Sequence, residues 1–237
     1  QSYVPATIAL GANTDPYQPI ERSYRITRGV IEVLAEFQHP FGIVTKSANV
    51  TRDLDLLKPM AEQDLVKVAL SITTLDPKLA RSMEPRASTP AKRLAAIEML
   101  AKAGVRTVVM MGPIIPGLND HEIENILKAA RNAGAAEAGY TMLRLPFEVK
   151  EIFKDWLQRE HPDRAAKVMS HVKDVRGGRE NDPNFGSRMT GTGPMAWMIG
   201  RRFQLAAQRL GLNANRIKLR TDLFHRPLQR GEQMMLF

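Results

Sequence analysis

Short apolar runs alternate with helix-like stretches over the first 145 residues of the chain. Between the runs, apolar residues recur at helical spacing, as in 24–37. Strands that alternate with helices pair in parallel through right-handed crossovers. The pattern therefore predicts an α/β fold, either an open doubly wound sheet or a βα barrel of the TIM type. The predicted strands are 4–10, 41–44, 66–72, 105–111 and 139–145.

Capping residues mark several helix boundaries in this region. Asp76 and Thr89 each precede a proline, so a capping side chain stands before the first helical position. Asn119 and Glu122 are three residues apart and predict a variant capping box for a helix at 122–133. These signals support the division of the chain into strand–helix units.

Polar residues follow the predicted strands at their carboxyl ends. In parallel α/β folds these ends lie on one face, where functional sites are built. We therefore expect one shared pocket rather than separate capped turns. Lys46 ends an apolar strand, so we expect it to meet an anion; the alternative is a rim lysine in solvent. The polar residues are Asn13, Thr14 and Asp15 at the end of the first strand, Lys46 at the end of the second, Ser71 and Thr73 at the end of the third, and Arg144 at the end of the fifth.

Composition limits the classes of function. A formal net charge of +9 favours an anionic partner such as nucleic acid, although it also fits an ordinary basic protein. The absence of cysteine excludes disulfides, thiolate nucleophiles and thiolate-held clusters formed by this chain alone. The histidines show no short metal-binding spacing, so we expect no metal site from these residues. Without a membrane-length apolar run or a signal peptide, we expect a cytoplasmic protein with no membrane partner.

Several segments, in this order, resemble radical S-adenosylmethionine (SAM) proteins of the spore photoproduct lyase-like group, often labelled DNA repair photolyases. They are LGANTDPYQPIER, IVTKSANVTRDLDLL, VALSITTLDPKLARSMEPRASTPAKRL, GPIIPGLNDHEIENIL and the closing GEQMMLF. The resemblance is specific at TK-S, SIT and MEPRAS and looser after about residue 150.

This resemblance implies a partial (β/α)6 TIM-like barrel, with five of its six strands present here. In that superfamily a three-cysteine loop after the first strand holds a [4Fe–4S] cluster. SAM chelates the open iron, and reduction releases a 5′-deoxyadenosyl radical. The present chain departs from the pattern because it has no cysteine. We expect it to bind no cluster and to be inactive as given, and we interpret it as a truncated product rather than a natural pseudoenzyme.

The resemblance also assigns SAM contacts to the first two strand ends. Asp15 would accept from the ammonium group of SAM, and Asn13 or Thr14 would donate to its carboxylate or ribose. Lys46 would face the methionine carboxylate in a charge-assisted contact.

The later strands would hold the nucleoside. Ser71 and Thr73 match the strand end beside the ribose, and Ile115 lies in the segment that packs the adenine. Arg144 belongs to the strand that would close the other side. Glu84 and Arg86 of MEPRAS receive no role from the resemblance, and one interpretation is that Glu84 pairs with a neighbouring arginine.

After a βα domain at 1–147, the chain is predicted to form a mainly helical extension at 148–237. Helices are predicted at 148–157, 163–175 and 195–210, and Ile152, Phe153, Trp156 and Leu157 are interpreted as a core stripe. The glycine-rich segment 177–194 is predicted to be a flexible loop. Its Arg179 and Arg188 are candidate nucleic-acid contacts; a plain connector is the alternative.

The last residues of the chain form a second recognisable motif. Gln233, Met234, Leu236 and Phe237 resemble the short peptide by which bacterial DNA-repair and replication proteins dock on the sliding clamp. The alternative is a tail that folds back onto its own domain.

Three functions therefore compete. The first is a radical SAM enzyme of lyase-like type that acts on DNA lesions in its full-length form. The second is a non-catalytic basic protein that binds nucleic acid or the sliding clamp. The third, a phosphate-binding βα-barrel enzyme, lacks the expected glycine-rich loop after the late strands.

Overall fold

The computed structural model describes residues 3–227 of the chain. Its strands form one parallel five-stranded sheet in the order β1-β2-β3-β4-β5. A doubly wound sheet reverses direction at a switch point, whereas here each strand lies beside the next one in sequence. The prediction of a partial βα barrel is confirmed, and the open doubly wound alternative is excluded. The strands are β1 (Ile8–Leu10), β2 (Phe41–Thr45), β3 (Val66–Ser71), β4 (Arg106–Ile114) and β5 (Glu137–Met142).

Helices follow the strands, and two of them begin at the predicted capping residues. Asp76 Oδ1 accepts from the backbone nitrogen of Lys78 at 2.8 Å, and Thr89 Oγ1 accepts from Lys92 at 3.4 Å. Two 3-10 turns cover Ala48–Asp53 and Asp120–Glu122. The helices are α1 (Glu21–Tyr24), α2 (Ile26–Glu36), α3 (Leu54–Glu62), α4 (Pro77–Met83), α5 (Pro90–Lys102), α6 (Ile123–Asn132), α7 (Val149–Glu160), α8 (Ala165–Asp174) and α9 (Gly193–Arg209).

The first strand–helix unit differs from the prediction in two ways. Only Ile8–Leu10 of the predicted strand 4–10 pairs with β2. The predicted helix 24–37 starts two residues later, because Arg25 has a left-handed φ of 51° and separates α1 from α2. The Glu21 carboxylate then accepts from the first backbone nitrogens of α2, so a side chain of α1 caps the next helix.

The core consists of two apolar clusters. The larger one lies between the sheet and its helices and includes Ile31, Leu70 and Phe203. The smaller one lies under α7 and α8, where Phe153, Trp156 and Leu157 are buried as predicted. Ile152 was wrongly placed in that stripe, because its side chain is 67% exposed on the outer face of α7. Both clusters draw residues from either side of residue 147, so the helical part packs directly on the sheet.

The predicted capping box at α6 is wrong. Asn119 makes no side-chain cap bond. Its Oδ1 accepts from Ile115 N at 2.7 Å, and its Nδ2 donates to Thr73 O at 2.8 Å and Pro113 O at 3.0 Å. Glu122 accepts from the Thr74 hydroxyl and the nitrogen of the next residue. Both side chains therefore tie the end of β3 to the turn after β4 rather than capping their own helix.

Segment 177–192 is irregular, as predicted, but it is attached to the sheet. Met189 O accepts from Met142 N at 2.7 Å, and Asn181 Oδ1 accepts from Leu145 N at 3.3 Å. The segment therefore lies along the end of β5. The GTGP turn opens α9 at Gly193, close to the predicted start.

Two further sequence-based predictions concern membrane spans and the C-terminal tail. Within residues 3–227, no helix has both the length and the apolar character needed to cross a bilayer. The predicted clamp-docking residues, Gln233, Met234, Leu236 and Phe237, lie outside the described residues.

We expect Asn119→Ala to lower the free energy of unfolding by about 2–4 kcal/mol, because it leaves buried backbone groups of two turns without partners. Asn119 is fully buried. Urea unfolding checks this, with Asn125→Ala on the exposed face of α6 as the matched control. Equal stability of the two variants contradicts the assignment of Asn119 as a connector of β3 and β4.

Candidate functional site

A cavity of 520 Å³ opens at the carboxyl ends of β1, β2 and β3. Three chain segments line it: 15–22 after β1, 46–49 after β2, and 84–92, which runs from the end of α4 into the first turn of α5. The cavity therefore lies on the face where the polar strand ends were predicted to converge.

The turn that follows β1 is fixed by Asp15. One carboxylate oxygen accepts from Tyr17 N at 2.8 Å and from the Thr45 hydroxyl at 2.6 Å, and the other accepts from Lys46 N at 2.7 Å. Gly11, with a φ of 93°, allows the turn to pass against β2, since a Cβ atom there would lie 2.0 Å from Val44 O. β1 stops abruptly because its polar tip is bonded to the end of β2.

Lys46 meets the carboxylate of Glu84. Its Nζ lies 2.5 Å from Glu84 Oε1, which also accepts from the Thr73 hydroxyl at 2.7 Å. The other oxygen of Glu84 lies 2.5 Å from Arg93 Nη2. Arg93 in turn donates to the backbone oxygen of Ser71 at 2.8 Å. The predicted anion for Lys46 is therefore supplied by the protein itself, and one buried carboxylate links β2, β3 and α5.

Opposite charges hold Glu84 in its ionised form. Burial raises the pKa of Glu84, but the positive charges of Lys46 and Arg93 lower it by more than burial raises it. The pKa of Glu84 therefore lies below its usual range. The side chain of Arg93 is almost fully buried, whereas that of Lys46 is about one third exposed. Lys46 is thus the member of this network that faces the cavity.

A second network supports the wall of the cavity behind Tyr17. The fully buried Asp53 accepts from the Tyr17 hydroxyl at 2.9 Å, and Arg28 and Arg52 each lie 3.0 Å from its carboxylate. Burial raises the pKa of Asp53, but the hydrogen bonds from these three groups lower it below its usual range. Asp53 therefore positions the wall and does not face the cavity.

The rim of the cavity is cationic. Arg22, Arg86 and Lys92 line it, and none of them has a carboxylate partner among residues 3–227. An anionic group that enters the cavity therefore meets positive charge first.

The predicted site residues divide into two groups. Asp15, Lys46, Ser71 and Thr73 belong to one connected set through the bonds described above. Asn13 and Thr14 are exposed beside that set.

Ile115 is fully buried in the smaller core cluster, so it contacts no ligand unless the turn after β4 moves. Arg144 lies beyond β5 near Arg176, away from the cavity lining. The ligand contacts of all these residues stay predictions.

The interpretation that Glu84 pairs with a neighbouring arginine is confirmed by its contact with Arg93. Sequence reasoning missed the contact of Glu84 with Lys46 and the roles of Arg93 and Asp53, although Asp53 stands in the quoted TRDLDLL stretch. Arg93 occupies a helix position that periodicity alone assigns to the apolar face.

We expect Glu84→Gln to destabilise the fold by about 3 kcal/mol at neutral pH, because the buried charge of Arg93 loses its counter-ion. The folded-state pKa of Glu84 is depressed. Its contribution is therefore complete above the unfolded-state pKa of about 4.3 and is lost as the pH falls through the folded-state value. The stability difference between the wild type and the variant should therefore shrink below about pH 4.

Denaturant unfolding at several pH values measures this difference. The control is Glu98→Gln, which breaks an exposed pair with Lys102 on α5 and should cost at most about 0.5 kcal/mol. A Glu84→Gln effect as small as the control, or one that is unchanged in acid, contradicts the network.

The donor set of an iron–sulfur cluster does not fit this chain. The sequence has no cysteine, and residues 3–227 contain no group of His, Asp and Glu side chains arranged to hold a metal ion. No chemical step is therefore assigned to a cluster held by these residues.

Comparison with known proteins identifies the fold family. The family model of the Radical SAM superfamily matches residues 6–130, which is more than half of the chain. An uncharacterised protein of Mycobacterium tuberculosis is 38% identical over 159 residues, covering 66% of this chain and 47% of the relative. An uncharacterised protein of Methanocaldococcus jannaschii is 28% identical over 162 residues, covering 68% of this chain and 59% of the relative.

The chain spans about half the length of the curated relatives it matches. Among solved structures, the radical S-adenosylmethionine methyltransferase TsrM of Kitasatospora setae is similar with a TM-score of 0.42 and 13% identity. That similarity covers 68% of this chain and 30% of the methyltransferase. With residues 6–130 matched by the family model, this chain belongs to the Radical SAM superfamily.

Proposed function

We propose that this chain forms the SAM-binding part of a radical SAM enzyme of the spore photoproduct lyase-like group that acts on nucleic acid lesions. The observation that carries the proposal is the Lys46–Glu84 ion pair at the cavity on the carboxyl ends of β1 to β3. The resemblance at TK-S and MEPRAS, which contain these two residues, supports the same group.

The ion pair is complementary to the amino-acid end of SAM. That end carries an ammonium and a carboxylate on one carbon. Lys46 would face the carboxylate and Glu84 the ammonium, so one internal pair is exchanged for two pairs with the ligand. Because Arg93 remains bonded to the other oxygen of Glu84, the buried carboxylate keeps a counter-ion throughout the exchange.

Asp15 adds a further negative charge at the same place. Its carboxylate accepts only neutral donors, namely two backbone N–H groups and the hydroxyl of Thr45. Its charge is therefore not cancelled by a neighbouring cation in those bonds. A ligand with both an ammonium and a sulfonium group, as SAM has, fits a cavity edge with two carboxylates.

The remaining predicted contacts extend this arrangement. Ser71 and Thr73 would lie beside the ribose, and the exposed Asn13 and Thr14 would donate to the carboxylate or ribose. Ile115 would reach the adenine only after a movement of the turn behind β4. SAM bound with a [4Fe–4S] cluster supplies radical chemistry in this superfamily, and the residues of this chain would bind and orient SAM.

The proposed lyase-type action on nucleic acid rests on the resemblance and on charge. The formal net charge of +9 favours a polyanionic substrate, and so do the cations of the cavity rim, which have no carboxylate partner among residues 3–227. The nucleic-acid substrate of the whole protein is part of this proposal.

We expect the wild-type chain to bind SAM and Lys46→Ala to bind it about 10–100-fold more weakly, because a charge-assisted bond to the carboxylate is lost. Isothermal titration measures the affinity, and circular dichroism verifies folding. Lys58→Ala, an exposed lysine of α3, is the control and should bind as the wild type does. Equal affinity of both variants, or no binding by the wild type, contradicts the proposal.

A second candidate function is a nucleic-acid or sliding-clamp binding protein without catalysis. The closing residues Gln233, Met234, Leu236 and Phe237 favour it, because two adjacent apolar side chains in a tail suit a hydrophobic groove.

Removal of the last five residues should abolish retention on an immobilised bacterial sliding clamp, because those residues supply the proposed groove contacts. A pull-down of the full and shortened chains measures this. Gln229→Ala, a polar change in the same tail outside the motif, is the control and should leave retention unchanged. Equal retention of the full and shortened chains would reject clamp docking.

A further inference from the structure

Arginines gather at the carboxyl end of β5, outside the cavity described above. Arg176 follows α8 and is only 3% exposed. Its Nη2 donates to Leu143 O at 2.5 Å, and its Nη1 donates to Arg188 O at 2.8 Å. Arg176 therefore joins the end of β5 to the irregular segment 177–192. Arg144, two residues beyond β5, lies close enough for its charge to act on Arg176.

Three arginines have donor atoms without partners in the described part of the chain. The Nε atoms of Arg144, Arg176 and Arg188 are all buried and have no hydrogen-bond partner among residues 3–227. None of the three has a carboxylate partner within ion-pair distance among residues 3–227. Buried donors and partly buried charges without partners cost free energy, which a bound anion would offset.

Asp182, whose charge acts on Arg176, does not neutralise this cluster. The Asp182 carboxylate accepts from the Ser187 hydroxyl and from Asn184 N at 3.0 Å, so its bonds go to the loop. Burial lowers the pKa of Arg176, Asp182 raises it in part, and the charge of Arg144 lowers it again. The cluster therefore keeps an excess of positive charge.

Two exposed aromatic side chains stand close in sequence to these arginines, Phe147 three residues after Arg144 and Phe185 three residues before Arg188. Phe147 and Phe185 are 88% and 84% exposed, more than any other large apolar side chain in the described part of the chain. Their segments are joined by the bond from Leu145 N to Asn181 Oδ1. The Arg188 guanidinium stacks on the Phe185 ring at 3.7 Å, which orients that ring. Phe147 has a φ of 47°, a strained value for a bulky residue.

We propose that Arg144, Arg176 and Arg188 bind a phosphodiester group of a single-stranded stretch of nucleic acid, and that Phe185 stacks on a neighbouring base. Exposed aromatic rings beside guanidinium groups are the combination that proteins use for unpaired nucleic acid. The identification of the anion as a phosphodiester rests on the proposed function. Arg144 thereby belongs to this proposed anion site rather than to the SAM cavity.

Fluorescence anisotropy with oligothymidylate of about 10 nucleotides tests the site without SAM. We expect Arg144→Gln and Arg188→Gln each to weaken binding about tenfold and to make the slope of log K against log salt shallower by about 0.7. Phe185→Ala should weaken binding about tenfold with an unchanged salt slope, because stacking releases no counter-ions. Arg209→Gln and Tyr24→Ala remove an exposed cation and an exposed aromatic ring elsewhere and should leave affinity within about twofold.

Several results would overturn the proposal. One is the absence of oligothymidylate binding by the wild type at low salt. Another is an equal loss of affinity in the variants and in their controls. A third is polyglutamate binding that is as tight as oligothymidylate binding and as sensitive to the same substitutions. Should Arg144→Gln fail to fold, Arg188→Gln decides alone, because the Arg188 side chain makes no hydrogen bond among the described residues. Failure of SAM binding in a separate titration would count against the proposed function and leave this measurement valid.

Discussion

The buried carboxylate of Glu84 is the contact on which the carboxyl-end face of the sheet depends. It receives Lys46 from the end of β2, Thr73 from the end of β3 and Arg93 from α5. A single ionised group thereby fixes the distance between two strand ends and the helix that follows. Because Arg93 is buried, removal of Glu84 would leave an unpaired charge in the interior. The cavity keeps its shape for this electrostatic reason rather than through apolar packing.

Other polar side chains join neighbouring strand ends and loops on this face in a similar way. Asp15 binds the end of β1 to the end of β2, and Asn119 binds the end of β3 to the turn after β4. Arg176 binds the end of β5 to the segment that covers it. Loops at this face carry backbone groups that cannot join the sheet, and each receives one polar side chain that satisfies them. The result is a set of loops held rigidly enough to present functional groups.

The sequence predicted the repeating units well and their connections poorly. Strand periodicity and the caps at Asp76 and Thr89 depend on neighbouring residues, so they are visible locally, and the structure confirms them. The predicted capping box at Asn119 is wrong because the side-chain amide of Asn119 bonds to the turn four residues earlier. The spacing of Asn119 and Glu122 in the sequence cannot show this competing contact. Lys46 was correctly expected to meet an anion. Its partner stands 38 positions away, and only the fold brings the two together.

The charge arrangement divides the face into two regions with different binding properties. Around Lys46, positive and negative groups lie side by side, as in the ion pair with Glu84. This arrangement suits a small zwitterion, because each charge of the ligand meets a group of opposite charge. Around Arg144 and Arg176, cations stand together without carboxylate partners among residues 3–227, which suits one charge repeated along a polymer. In the first region the rim cations Arg22, Arg86 and Lys92 would attract a polyanion, but Glu84 and Asp15 would oppose its entry into the cavity. The segregation of charge would therefore let the proposed zwitterion and the proposed polyanion bind on the same face without competing for one site.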